Sequence, residues 1–285
     1  MAHYIPSILT DYVSGGSRSS SRNGGPHNST IHMRDILREM SLYKSDEHEL
    51  RFYSKSSQTI ADLTQTLIEK HYEIGCPSNS HGYVFGGYCD ITQMSTVNNY
   101  HHGNNIIRYE ETTYNLSISN AYNHLIHELA YSNNRLRAEG IRPCYATIAP
   151  ASLEKWNQYR LSRGKTGLLL HEGRYPQMQE DLTTVLSKIN GFICKLNIWN
   201  EMYTPYVAGT VVRTKCPGGQ MQRILQYHKL FDGVHADDKT ITEWADKMKK
   251  AILKNRSDHQ RMLHMQSSLN ARLDDDLLNK MIYGS

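Results

Sequence analysis

No run of roughly eighteen apolar residues occurs anywhere in the chain, so the sequence offers no transmembrane helix. The amino end, MAHYIPSILTDYV, lacks the basic flank and long apolar core of a secretory signal. Cysteine is scarce: Cys76, Cys89, Cys144, Cys194 and Cys216 are odd in number and contain no CxxC pair. That excludes a zinc ribbon and a disulfide scaffold, and a reducing intracellular compartment, cytoplasm or nucleus, is expected. Charge excess is also missing, since 32 basic against 28 acidic side chains leave +4, too little to argue for nucleic acid from bulk charge. HLIHE (His124, His127, Glu128) is not HExxH, because its histidines are three apart with the glutamate outside them, and His101 and His102 fall in a polar stretch. GKT at Gly164 to Thr166 lacks the P-loop glycine, because position 159 is tyrosine. Neither a metal nor a cofactor is expected.

What is present is a foldable chain of 285 residues, 39% hydrophobic, long enough to bury a large core without cross-links. Residues 1–28 read as a flexible arm, because the tract from Ser14 to Ser29 is glycine, serine, arginine and asparagine with little to bury. From about residue 29, short extended runs alternate with amphipathic helices: Thr30 to Met33 before ILREMSLY, Leu50 to Lys55 before TIADLTQTLIEKHY, and Tyr83 to Phe85 ending at Gly86 and Gly87. A polar excursion covers Gln93 to Thr113. A helix over 116–138, a strand in RPCYATIAP, a helix over about 177–197, a fifth strand at Val207 to Val212 and a helix on Ile241, Trp244, Met248 and Ile252 complete the pattern. This alternation predicts an α/β fold: a three-layer, flavodoxin-like parallel sheet with helices on both faces over residues 29–256, plus a C-terminal helical extension over 257–285. Ligands of such sheets sit beyond the carboxyl ends of the strands, so the residues just after each strand are the candidates for chemistry.

Those loops carry ILRE, SxxTIADL, GYCDI and, before the last helix, DGVH; in this order they resemble the SGNH (GDSL-type) hydrolase family over roughly residues 29 to 255. CYATIAPASLEKWN also resembles hydrolase-like domains encoded by animal retroelements or viruses. The family resemblance implies a serine nucleophile after the first strand, an oxyanion hole lined by a glycine and an asparagine, and a DxxH pair whose histidine activates the serine. Asp232 and His235 match the last motif. Reading TIHMRDILRE against a GDSILRE-like segment puts Asp35 in the nucleophile's place, after Met33 and Arg34; Ser57 falls at the oxyanion glycine and Cys89 at the asparagine, beside a retained Asp90.

A carboxylate at position 35 is ionised near pH 7 and has no proton to pass to His235, and removing one oxyanion donor costs on the order of 10² to 10³ in rate. The resemblance therefore implies a degenerate site and a noncatalytic binding or assembly protein. The alternative is an ester or acyl hydrolase in which His235, oriented by Asp232, works with Cys89 or a serine among Ser29, Ser54, Ser56 and Ser57. Lys247, Lys249, Lys250, Lys254, Arg256 and Arg261 form a basic helix end able to touch phosphates, or a solvated face. Leu269, Leu273, Leu277 and Met281 form a stripe that packs back on the domain or docks a partner, so a nucleic-acid or protein partner and an oligomer are both expectations, and a membrane is not.

Overall fold

The computed structural model describes residues 9–15, 33–39, 48–54, 58–93, 114–164, 175–197, 210–215, 221–226 and 230–283. In chain order the elements are β1 (Leu9–Gly15), α1 (Met33–Glu39), β2 (His48–Ser54), α2 (Ile60–Glu73), β3 (Ser80–Phe85), α3 (Tyr88–Gln93), α4 (Tyr114–Ala138), β4 (Ile141–Tyr145), α5 (Leu153–Ser162), α6 (Tyr175–Leu196), β5 (Thr210–Lys215), β6 (Met221–Gln226) and α7 (Asp238–Tyr283). Four strands form a parallel sheet in the order β2-β1-β3-β4.

The pleat assigns successive side chains to opposite faces, and two cores result. Tyr12, Val84 and Tyr145 face α2, α4 and α6, where they meet Leu63, Leu67, Leu129, Leu186 and Ile189. Val13, Tyr83, Phe85 and Cys144 face α1 and α7, where they meet Met33, Leu37, Trp244, Met248 and Ile252. The fold is thus a three-layer α/β sandwich of the flavodoxin-like kind, as the alternation of elements predicts. Its helices start where the sequence places caps: Thr59 and Asp62 close a reciprocal capping box on α2, and Asp237 accepts the Thr240 amide at 2.8 Å to open α7.

Three expectations are corrected. The first strand is Leu9–Gly15, inside the segment read as a flexible arm, and it is a central strand whose seven residues are all buried. Asp11 hides it from a hydrophobicity pattern, because a carboxylate in mid-strand reads as surface, whereas here it is fully buried against His81 and Arg256. Met33 accordingly opens a helix instead of ending a strand. The fifth strand is displaced to Thr210–Lys215 and pairs antiparallel with β6 in a separate two-stranded sheet. Finally, α7 runs unbroken through 256/257, so the extension is a continuation of one helix, and burial along it ceases after His259. The polar excursion over 94–113 lies outside the described residues.

Among the described residues no strand pairs with the chain leaving β4, whose backbone groups need partners on the side of the helical layer. Carboxamides of α6 satisfy them instead. Asn197 accepts from Tyr145 N and donates to Tyr145 O, both at 2.8 Å, and Asn190 does the same for Ile148 at 2.7 and 2.9 Å. Gln179 accepts from Leu153 N at 3.0 Å and donates to Ala151 O at 2.8 Å. Three side chains of one helix thus satisfy backbone groups along residues 145–153.

Candidate active site

β1, β2 and β3 end in one row, with Gly15 in register with both Ser54 and Phe85, and β4 ends beside them at Tyr145, which pairs with Val84. Everything that follows these residues therefore emerges along one edge of the sheet. After β4 the chain runs through Ser152, whose carbonyl and hydroxyl accept the Trp156 and Lys155 amides of α5 at 3.0 and 3.3 Å. The loop 230–237 is held against this segment: Ser152 N donates to Gly233 O at 2.8 Å, and Lys155 Nζ donates to Leu230 O. Leu230 and Ala236 pair as an isolated antiparallel bridge and enter one core, while Val234 enters the other. The loop therefore straddles the sheet edge with anchors in both layers.

Within it, Asp232 is buried and organises its own neighbourhood. Oδ1 accepts the Val234 and His235 amides at 2.8 and 2.6 Å, and Oδ2 meets His235 Nδ1 at 2.6 Å. Burial alone would raise the Asp232 carboxyl, but the bonds from the His235 ring and the two amides outweigh it and hold the group below the usual carboxylate range. An ionised Asp232 favours the tautomer with the proton on Nδ1, which makes Nε2 the ring's acceptor. The ring is flanked by Trp156, edge-on at 5.9 Å between centroids, and Phe231, stacked at 6.1 Å. Gly233 makes the turn at φ 93°, and a Cβ there would sit 2.7 Å from both Ser152 O and Trp156 N, so no other residue fits without moving the dyad.

Past β3, Gly86 and Gly87 allow the backbone to pass beneath Leu63 and Ile148, and Gly87 takes φ 100°. Cys89 then lies half-buried in the first turn of α3, and Asp90 behind it reaches across to the start of α2, where both carboxylate oxygens accept the Ile60 amide at 3.2 and 3.0 Å. Burial is the largest influence on Asp90 and pushes it up to about 7 against that hydrogen bond. Asp90 so ties the loop after β3 to the loop after β2, the two places where the family resemblance puts oxyanion donors.

The structure brings Asp232 and His235 together and sets Cys89 and Asp90 on the same sheet edge. Asp35 is different. It lies in the first turn of α1, twenty residues past Gly15 in the sequence, whereas the strand it was aligned to follow is Leu9–Gly15. In the sequence the residues that follow that strand are Gly16 and Ser17. Ser17, like Ser29, Ser56 and Ser57, lies outside the described residues, and Ser54 ends β2. Ser17 escapes a sequence reading because its glycine and serine neighbours look like linker. Trp156 and Gly233 were also unannounced as site residues, although both stand in segments that carry the resemblance.

The basic set on α7 is divided by the structure. Arg256 is buried and donates from Nε to Asp11 Oδ2 at 2.6 Å, so it does not form part of a phosphate-binding face. Lys250 pairs with Asp246, and Lys254 and Arg261 pair with Asp258, all on the same helix. Among the described residues, no group of three or more His, Cys, Asp or Glu side chains is disposed to hold a metal ion, and no helix is long and apolar enough to cross a membrane.

No family model matches the chain, and no characterised protein matches it in sequence. Its fold is similar to that of a GDSL-like lipase from Bacteroides thetaiotaomicron, with 13% identity, 86% of this chain and 88% of that one covered, and a TM-score of 0.47. It is also similar to a putative lipolytic protein of the G-D-S-L family from Desulfitobacterium hafniense, at 11% identity over 85% of this chain and 99% of that one with a TM-score of 0.48. A third similar structure is a lipase/acylhydrolase from Enterococcus faecalis, at 10% identity, 87% and 97% coverage and a TM-score of 0.45.

Proposed function

We propose that the chain is an ester or acyl hydrolase of the SGNH type, with Asp232-oriented His235 as general base and Ser17 as nucleophile. The observation that supports it most is the dyad: a buried carboxylate bonded to Nδ1 at 2.6 Å and locked by two backbone amides, on a loop anchored in both cores at the edge where the parallel strands end. A structural ion pair needs neither that location nor a ring turned by its partner.

In this reading His235 Nε2 takes the hydroxyl proton as Oγ attacks the acyl carbon, then returns it to the leaving alcohol; water repeats the sequence in deacylation. Asp232 stays ionised and stabilises the imidazolium. The expectation of a noncatalytic protein drew on Asp35 in the nucleophile's place, and the strand register removes that ground. Cys89 in place of an asparagine remains, and it makes the reaction slow, since one missing oxyanion donor is worth on the order of 10² to 10³ in rate.

The test is hydrolysis of short-chain p-nitrophenyl esters and thioesters by the full chain and by Ser17→Ala, Cys89→Ala, Asp232→Asn and His235→Ala. Turnover should vanish in the serine and histidine variants, fall by about 10⁴ in Asp232→Asn and survive in Cys89→Ala. Loss in Cys89→Ala with Ser17→Ala intact would transfer the nucleophile to the thiol. Turnover indifferent to His235→Ala would refute the hydrolase.

A further inference from the structure

α7 is a 46-residue helix that leaves its own domain. Its first half is buried through Trp244, Met248, Ile252 and finally His259, whereas every residue from 260 to 270 is exposed. At 1.5 Å per residue the segment 260–283 adds about 36 Å of helix past His259. It is not dressed for water: Met262, Leu263, Met265 and Leu269 are 46, 41, 71 and 58% exposed. In sequence, Leu273, Leu277 and Met281 continue the four-residue spacing of Met265 and Leu269. An exposed helical stretch carrying apolar side chains such as these is marginal, because helical stability in proteins comes from packing such a face.

The charges name the occupant. Residues 260–272 contain Arg261 and Arg272 and no acid, while residues 273–283 contain Asp274, Asp275 and Asp276 against one lysine, Lys280. A parallel copy would set the three aspartates against their own images. An antiparallel copy sets them against the arginine half and aligns stripe with stripe, Leu269 near the two-fold axis and Met265 opposite Leu273. Arg261 makes two long, exposed contacts within its own helix, to Asp258 and to the Ser257 hydroxyl, each at 3.4 Å, and such pairings cost little to exchange. We propose that residues 260–283 form an antiparallel helix pair with the same segment of a second copy of this chain, an isologous dimer with the two α/β domains at opposite ends.

Sedimentation velocity on the full chain between about 5 and 200 µM tests it, with circular dichroism as the folding control. A concentration-dependent species of twice 32.7 kDa is expected. Met265→Lys with Leu269→Lys should weaken it at least tenfold at unchanged helicity. Arg261→Glu with Arg272→Glu should also dissociate it, as should the Asp274→Lys, Asp275→Lys, Asp276→Lys triple variant, and an equimolar mixture of those two charge variants should dimerise again. A monomer at 200 µM, a dimer indifferent to the double lysine variant, or charge variants that do not restore one another would each overturn the proposal.

Discussion

His259 should make this fold acid-sensitive, and His259→Gln should remove most of the sensitivity. The ring is 3% exposed in the cleft between α7 and the sheet. Nδ1 accepts from Arg142 Nη1 at 3.1 Å, so the ring proton sits on Nε2, which meets no hydrogen-bond partner among the described residues. The groups facing it are Arg142 on β4, His81 on β3 with ring centroids 5.7 Å away, Asp11 on β1, already engaged by His81 and Arg256, and His48 on β2. Protonation would replace the Arg142 bond with a repulsion. Burial first, then Arg142 and His81, push the imidazole down to about 4 from its ordinary 6.5.

The native state therefore holds His259 neutral where the unfolded chain protonates it. Its contribution is complete above pH 6.5 and is lost as pH falls toward 4. Linkage gives a loss of about 1 kcal/mol at pH 6, about 2 at pH 5 and about 3 at pH 4 relative to pH 8, upper values because Arg142 is half-buried and can turn toward water. Glutamine at 259 keeps an acceptor for Arg142 but does not titrate. Urea unfolding of both proteins at pH 8, 6 and 5 isolates the effect, since the other carboxylates and histidines are common to both. A wild-type minus variant difference that stays constant within about 0.5 kcal/mol from pH 8 to pH 5 would refute the reasoning.

Asp90 should act with the opposite sign: its folded carboxyl, raised to about 7, binds a proton the unfolded chain has released, so stability falls as pH rises from about 4 to 7. Asp90→Asn, which keeps an acceptor for the Ile60 amide, should flatten that slope and gain up to about 4 kcal/mol over the wild type between pH 4 and 8, measured by the same urea melts. Gly233→Ala must place a Cβ 2.7 Å from two backbone atoms at positive φ, so it should cost at least about 2 kcal/mol and abolish ester turnover, read from kcat/KM beside a thermal melt. Cys89→Asn should raise kcat toward 10²-fold with little change in KM if the first turn of α3 faces the oxyanion; an unchanged kcat would remove that residue from the site.

The alternation of strands and helices was legible because most elements bury one apolar stripe: Ile60, Leu63 and Leu67 on α2 or Ile241, Trp244, Met248 and Ile252 on α7 are core residues at the spacing the sequence displays. The DGVH motif was legible because its chemistry is local, with acid, turn and base inside four residues. What stayed hidden depends on distant partners. Nothing near Asp11 in sequence announces that Arg256 neutralises it, so the central strand read as an arm, and with that strand misplaced every residue aligned to its end was misplaced too. The fifth strand was displaced for a related reason: a β-branched run such as VAGTVV states a preference for extended backbone but not which neighbour it pairs with, and Thr210–Lys215 pairs antiparallel with β6.

α7 connects these separate observations mechanically. Its N-cap, Asp237, stands two residues after His235, and its eighteenth to twenty-second residues, Asn255, Arg256 and His259 among them, grip Tyr83, Asp11 and Arg142 near the opposite end of the sheet. The aliphatic side chains between those grips pack along one face of all three strands β1, β3 and β4. The helix that begins beside the Asp232–His235 pair is therefore clamped by a buried charge cluster at its middle, and its residues 260–283 are the segment proposed to meet a second chain. Protonation of His259 acts on that cluster and not directly on the Asp232–His235 loop, which keeps its own anchors in Leu230, Val234 and Ala236.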